Sequence, residues 1–199
     1  DVNQLPPVGP GAVLGDLIAS GEVPVVRLDV IHRQAENSPI IQAAHLIHNS
    51  TDSVLTVERL RQLDHNFFQI ITLEDPSAAH VVRKLQMEMS AALRRENGLS
   101  EIQLLAPMRK GDVGVTALNE ILAEYVNPDD EYKRGVNLGG FLAGDKVMHI
   151  INNYKLGVLN GMTGVVTAAD AEVVVVDYGD SLVKYDNISI GQVVLSLSL

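Results

Sequence analysis

The hydrophobic pattern changes partway along the chain, and this change constrains the fold more than any other sequence feature. Between residues 25 and 126, apolar runs of strand length alternate with segments of helical period. The clearest helical segment follows Asp75-Pro76 and carries an apolar stripe from Ala78 to Leu93. Alternation of strands and helices indicates an α/β fold with a parallel sheet and functional loops at the strand ends.

The predicted elements of this first part follow from local signals. The predicted strands are Val25 to Val30, Phe67 to Thr72 and Ile102 to Ala106. The predicted helices are Ala12 to Ala19, a helix beginning at Ser38-Pro39, the helix after Asp75-Pro76, and a helix from about Val115 to Tyr125. Residues 50–66 are polar and mixed, and no firm element is predicted there.

From Gly144 onward the sequence predicts only short strands. They are Lys146 to Ile151, Gly164 to Ala168, Glu172 to Tyr178 and Leu182 to Tyr185. Their spacing of roughly ten residues is typical of a small barrel. The chain ends in Val193 to Leu199, where apolar residues alternate with serine as in a buried strand, and we expect the chain to be a fragment.

Composition narrows the class of protein. Fifteen Lys and Arg against twenty-five Asp and Glu give a net charge of −10, which argues against coating nucleic acid through bulk charge but allows a local basic groove. Without cysteine, a disulfide framework and a thiolate zinc site are excluded, so we expect a cytoplasmic protein. Apolar stretches such as Val173 to Val176 are far shorter than the roughly 20 residues of a membrane span, and we expect no membrane contact.

Two loops near the start of the chain are candidate sites. The loop from Gln4 to Gly11 combines rigid prolines with glycines and would present Gln4 at a definite place, although a proline-rich tether is the alternative. Arg33 follows a predicted strand, a common place for an arginine that binds an anion, and a solvated surface arginine is the alternative. His45 and His48 share a helical face without a third ligand nearby, so no metal site is predicted.

A third candidate lies beyond the predicted strand Ile102 to Ala106. The sequence Pro107-Met108-Arg109-Lys110-Gly111 places two cations beside a glycine, which would let backbone amides approach a phosphate. A solvated turn explains the same residues equally well. The chain lacks the common phosphate-binding and nucleophile motifs, so an intact catalytic centre is not expected in it.

Taken in order, several motifs resemble one known family. They are Asp1-x-x-Gln4-Leu5-Pro6-Pro7-Val8-Gly9-Pro10-Gly11, Arg33-Gln34-Ala35, Leu105 to Gly111 with Gly114-Val115 and Leu118-Asn119, and Gly144-Asp145-Lys146-Val147-Met148 with Asn152-Asn153-Tyr154 and Gly157-Val158. This series resembles the C-terminal part of the RecD-like superfamily 1 DNA helicases, which are also called exodeoxyribonuclease V alpha chains. The match spans nearly the whole chain and is weakest from Ser50 to Asn66.

The resemblance implies an architecture. Residues 1–24 would be the end of a first RecA-like domain and its linker, and residues 25–139 part of a second RecA-like motor domain. Residues 140–187 would form an inserted all-β barrel like a Src-homology-3 domain, and residues 188–199 would return to the motor domain as a strand.

The resemblance also implies an activity. Such a protein is an ATP-dependent 5′ to 3′ helicase, an ATP hydrolase that moves on single-stranded DNA in recombination or repair, alone or with the nuclease and helicase subunits of a recombination complex. ATP and magnesium would be its cofactors. The phosphate-binding lysine and the magnesium-binding acidic motif would precede Asp1, so we expect the fragment alone to be inactive.

The implied sites lie at the candidate loops. Gln4 and Arg33 would be the catalytic and ATP-binding residues, because the family uses the matching side chains at the terminal phosphate. Four residues of the third loop, Pro107, Met108, Arg109 and Lys110, would lie near the DNA backbone. Asn152, Asn153 and Tyr154 would help hold the single strand, with Tyr154 offering a stacking face.

Two alternatives remain open at the level of sequence. One is a non-enzymatic module derived from the family, in which the barrel binds a protein segment or DNA and the α/β part is a scaffold. The other is part of a conjugative relaxase helicase, which would carry a nicking domain elsewhere.

Overall fold

The computed structural model describes residues 2, 9–27, 38–50, 52–63, 68–95, 98–129 and 132–199. The chain divides into two compact units, Asp1–Thr72 and Leu73–Leu199, and each is described by itself. None of the described helices is both long and apolar enough to cross a lipid bilayer.

Helices make up the regular structure described in the first unit. They are α1 (Val13–Ser20), α2 (Pro39–Asn49) and α3 (Ser53–Leu60). The predicted helices at the positions of α1 and α2 are confirmed, and α2 begins as expected with proline in its first turn after Ser38. Helix α3 was not predicted; its N-cap is Asp52, whose carboxylate accepts hydrogen bonds from the backbone N–H groups of Val54 and Leu55.

Two predicted strands of this unit are absent where the structure describes them. Residues 25–27 and 68–72 have no strand assignment and no β-ladder partner among the described residues. A β-strand needs a neighbour to satisfy its backbone groups, so strand propensity by itself did not suffice.

The second unit begins with two packed helices, α4 (Ala78–Arg95) and α5 (Val115–Val126), both close to their predicted bounds. The apolar stripe of α4 turns toward α5. Their shared core contains Met89, Leu118, Leu122, Ala123 and Leu197, all buried. The last of these residues comes from the end of the chain, so the core is completed by a segment distant in sequence.

A five-stranded antiparallel sheet follows. Its strands are β1 (Lys146–His149), β2 (Thr163–Ala169), β3 (Val174–Asp177), β4 (Leu182–Tyr185) and β5 (Val193–Leu195), in the spatial order β4-β3-β2-β1-β5. Burial alternates along β3 and β4, as expected for a sheet with one face on a core. The core on that face includes Val147, Val158, Val166, Val176 and Tyr185. The predicted series of short strands is confirmed.

The segment after β5 joins the sheet to the helical layer. Residues 104 and 198 form a parallel bridge, in which the Leu104 N–H donates to Leu197 O and the Ala106 N–H donates to Leu199 O at 2.8 Å. Parallel pairing is limited to this bridge in the described part of the chain. The predicted mixture of helices with a small all-β part is therefore confirmed, whereas the predicted parallel sheet is represented in the described residues by this bridge.

Candidate nucleic-acid interface

The predicted site residues fall into two groups. Gln4 and Arg33 lie outside the described residues, so their surroundings are not described. The DNA-contacting candidates all lie in the second unit, on two loops that the structure describes. The site is therefore built here from the loop before α5 and the loop after β1.

The loop before α5 is held in shape by its own backbone. The N–H groups of Val115 and Thr116 donate to the carbonyls of Met108 and Arg109, at 2.9 and 3.3 Å. A side chain at Gly114 would place its Cβ 2.5 Å from the Lys110 carbonyl oxygen, so only glycine allows this close approach. The cationic residues thus sit on a fixed turn at the start of a helix.

The predicted DNA-contacting residues of this turn lie at the surface. Pro107, Met108, Arg109 and Lys110 are all exposed. The backbone N–H groups of Val115 and Thr116, at the start of α5, already bond to loop carbonyls. The exposed side chains of Arg109 and Lys110 can contact an anion at this turn.

The loop after β1 divides its polar residues between structure and surface. Asn153 donates from Nδ2 to Gln192 Oε1 at 2.9 Å, and its backbone pairs with Val158. Asn152 Oδ1 accepts the Asn160 N–H at 2.9 Å. Tyr154 instead is 80% exposed, so its ring is the part of this loop best placed to stack on a base.

The side chain of Asn119 holds α5 against the last residues of the chain through hydrogen bonds. Asn119 is buried on α5 and donates from Nδ2 to the carbonyls of Leu195 and Ser198, both at 2.9 Å. Its Oδ1 accepts the Ser198 N–H at 2.6 Å. One amide side chain thereby satisfies three backbone groups, and the register of the last segment against α5 is set.

Lys146 forms a second connection. It is buried at the start of β1, and Nζ donates to the Ile102 carbonyl at 2.6 Å and to Gln103 Oε1 at 3.1 Å. Burial lowers the pKa of Lys146, and the charge of Glu101 opposes that shift. The side chain ties the sheet to the segment that leads into the Arg109 loop.

An ion pair fixes the connection between α5 and β1. Asp145 is buried and accepts from Arg134 Nη1 at 2.6 Å and Nη2 at 3.0 Å, from Asn127 Nδ2 and from the Leu142 N–H. The hydrogen bond to Asp145 raises the pKa of Arg134 further, against the effect of burial. The negative charge of the Asp145 carboxylate is therefore balanced by the Arg134 guanidinium and by hydrogen bonds, as a buried charge requires.

A chain of hydrogen bonds runs through the core on the buried face of the sheet. His149 Nδ1 lies 3.1 Å from Tyr185 Oη, which lies 2.8 Å from Tyr178 Oη. His149 is fully buried, its Nε2 has no partner among the described residues, and burial lowers its pKa. Burial also raises the pKa values of Tyr178 and Tyr185, so all three rings are neutral near pH 7.

The sequence analysis quoted Asn119, Asp145 and Lys146 within motifs without giving them a role. For Asn119 and Lys146 the signal was a polar residue at a position of apolar period, Asn119 between Leu118 and Leu122 and Lys146 before Val147. Their partners lie on other segments, so the sequence alone did not reveal the contacts.

The sequence of this chain matches a family model and a known relative. Residues 118–178 match the family model described as "ATP-dependent RecD-like DNA helicase SH3 domain". Over 184 residues, or 92% of this chain, the sequence is 30% identical to an "ATP-dependent RecD2 DNA helicase" of Deinococcus radiodurans. The chain spans 23% of the length of that relative.

Solved structures of Pif1 helicases are also similar. The unliganded Pif1 from Bacteroides sp. matches 66% of this chain and 41% of its own, with 15% identity and a TM-score of 0.33. A structure of two coordinating Pif1 helicases at forked double-stranded DNA matches 66% of this chain and 38% of its own, with 16% identity and a TM-score of 0.31. The resemblance predicted from the ordered motifs is confirmed by the family-model match and by the 30% identity: over most of its length, this chain is similar in sequence to RecD-like helicases.

Proposed function

We propose that this chain is part of an ATP-dependent DNA helicase that translocates 5′ to 3′ on single-stranded DNA. The observation that carries the proposal is the 30% identity, over 92% of the chain, to a relative described as an ATP-dependent DNA helicase. The protein would serve DNA recombination or repair, alone or with the subunits of an exodeoxyribonuclease V-type complex.

In this proposal the second unit binds the single-stranded DNA. Arg109 and Lys110 contact backbone phosphates from their fixed turn, and Tyr154 stacks on a base. Contacts of this kind do not depend on sequence, which suits a protein that moves along DNA. The supporting features are the exposure of these side chains and the tight backbone at Gly114.

ATP is the nucleotide in this proposal. Gln4 would sense its terminal phosphate by hydrogen bonding, and Arg33 would stabilise the charge that develops on the transferred phosphoryl group. The part of the chain that the structure describes contains no group of three or more His, Cys, Asp or Glu side chains suited to a metal ion. The described side chains therefore do not form a resident magnesium site.

The test of the motor function is the substitution Arg33→Ala in the full-length protein. Loss of an arginine that contacts the transferred phosphoryl group lowers ATP turnover by about 10³-fold or more. DNA-stimulated ATP hydrolysis is measured together with unwinding of partial duplexes that carry a 5′ or a 3′ single-stranded tail. Arg27→Ala, at an exposed arginine of the same unit, is the matched control and is expected to retain activity.

Three results would contradict the motor function. Unchanged turnover in Arg33→Ala would remove the role of that residue. Unwinding that requires a 3′ tail would reverse the direction. A full-length protein that binds DNA without coupling to ATP would favour the alternative of a non-enzymatic binding module.

Arg109→Ala tests the DNA contact separately. Removing one phosphate contact weakens single-strand binding at all sequences and lowers the slope of log K against log salt by about 0.7. Fluorescence anisotropy with a labelled oligonucleotide at several salt concentrations measures both. Arg83→Ala, at an exposed arginine on α4, is expected to leave the slope unchanged, and an unchanged slope in Arg109→Ala would exclude the contact.

A further inference from the structure

A cleft of about 710 Å³ opens beside the Arg109 loop, within the second unit. One wall comes from the loop and the first turns of α5, with Arg109, Thr116 and Glu120. The opposite wall comes from β1, the residue after it and β5, with Met148, Ile150 and Val194. The cleft therefore has an apolar wall facing a polar and charged one.

These properties are those of a ligand site. Binding pockets of small molecules measure roughly 300–1,000 Å³ and combine an apolar lining with a few polar groups. The polar groups of this lining include Arg109, Thr116 and Glu120, all of which are exposed.

We propose that this cleft receives one unstacked base of the single strand, with the phosphate attached to its nucleotide at Arg109. A nucleobase has flat apolar faces, which suit Met148, Ile150 and Val194. Its edge carries donors and acceptors, which suit the Glu120 carboxylate and the Thr116 hydroxyl. The guanidinium of Arg109 complements the phosphate, and this inference rests on the proposed DNA-binding function.

The cleft is separate from the exposed ring of Tyr154, so the two contributions to base binding can be measured apart. The experiment uses the whole 199-residue chain carrying Tyr154→Ala, which removes the exposed ring. The probes are a labelled oligothymidylate and an oligomer of equal length in which every base is replaced by an abasic spacer. Both probes carry the same phosphates, so the ratio of their affinities reports contacts to bases.

In this background we expect oligothymidylate to bind about tenfold more tightly than the abasic oligomer, as one buried base contact provides. Adding Val194→Trp fills the cleft and should abolish that ratio without changing the salt slope. Val194 is 37% exposed at the cleft wall, so the larger ring has room to be accommodated. Thr116→Trp fills the cleft from the opposite wall and should act in the same way.

Leu182→Trp is the matched control. It adds the same ring on β4, at the opposite edge of the sheet, and should retain the tenfold ratio. Equal affinity for both probes in the Tyr154→Ala chain would overturn the inference, as would a ratio that survives both tryptophan variants. Failure of the unsubstituted chain to bind either probe would instead refute the DNA-binding function itself, on which the cleft depends.

Discussion

Buried polar side chains determine how the second unit is put together. Asn119, Asp145 and Lys146 each bond to a segment distant in sequence, and each has its hydrogen-bonding groups occupied. An apolar residue at any of these positions would leave buried backbone or charged groups without partners, at a cost of about 1–3 kcal/mol for a neutral group. Specific pairing of this kind selects one register where apolar packing alone allows several.

His149 gives this unit a predictable response to acid. Burial lowers its pKa below the value near 6.5 of an exposed histidine. Above pH 6.5 the ring is neutral in the folded and unfolded states, and its favourable packing is fully present. As the pH falls toward the folded-state pKa, the unfolded state binds the proton first, so the free energy of unfolding decreases.

We therefore expect His149→Gln to flatten the decline of stability as the pH falls below 6.5, by up to about 1.4 kcal/mol per pH unit. Urea unfolding followed by circular dichroism at several pH values measures this slope. His48→Gln, at an exposed position of α2, is the control. An identical slope in His149→Gln and the unsubstituted chain would exclude His149 as its source.

The sequence predicted the surface residues of the candidate site better than its internal contacts. Arg109, Lys110 and Tyr154 are exposed, as a role at a surface requires. Asn153 instead bonds to Gln192, 39 positions further along the chain. A motif shows which residue types occur together in sequence, whereas such a contact depends on tertiary pairing.

At the scale of elements, helices were predicted more accurately than strands. The period of α4 and the start of α2 at Pro39 are local properties, and the structure has both. The predicted strand Ile102 to Ala106 is reduced to a bridge at Leu104, because its described partner is the short segment at residues 197–199. A helix satisfies its own backbone, whereas a strand depends on what lies beside it.

The turn before α5 leads to a prediction about Gly114. A Cβ at this position would lie 2.5 Å from the Lys110 carbonyl oxygen and 2.9 Å from the Arg109 carbonyl carbon. Gly114→Ala must therefore displace backbone, and we expect a loss of stability of about 1–3 kcal/mol together with weaker single-strand binding. Urea unfolding and anisotropy on the same preparation give the two values.

Gly191→Ala is the appropriate comparison, because nothing lies within 4 Å of its added Cβ. We expect that variant to retain both stability and binding. Full DNA affinity in Gly114→Ala would mean that the shape of the turn does not matter for the contact.

At the scale of the whole molecule, both hydrophobic clusters described above lie within the second unit. One lies beneath the sheet and the other between α4, α5 and the end of the chain. The buried residues of each come from positions beyond Leu73. The second unit therefore contains the groups that a cooperative fold requires.

We expect a polypeptide of residues 73–199 to unfold in one cooperative transition, since both clusters are complete within it. Thermal unfolding followed in the near and far ultraviolet tests this. The transition should coincide at both wavelengths and lie near the corresponding transition of the whole chain. A broad transition without cooperativity would show that Asp1–Thr72 is needed to complete the fold.

The bridge between Leu104 and Ser198 has a consequence for the order of folding. Gln103 bonds to Leu197, 94 positions later, and closing so long a loop in a disordered chain is entropically costly. The antiparallel hairpins between these positions form from local contacts, and pairing of β1 with β5 brings Leu195 beside Val147. On a ribosome, the sheet would therefore fold early and bring the final residues to α5, so that the local hairpins guide the long-range pairing.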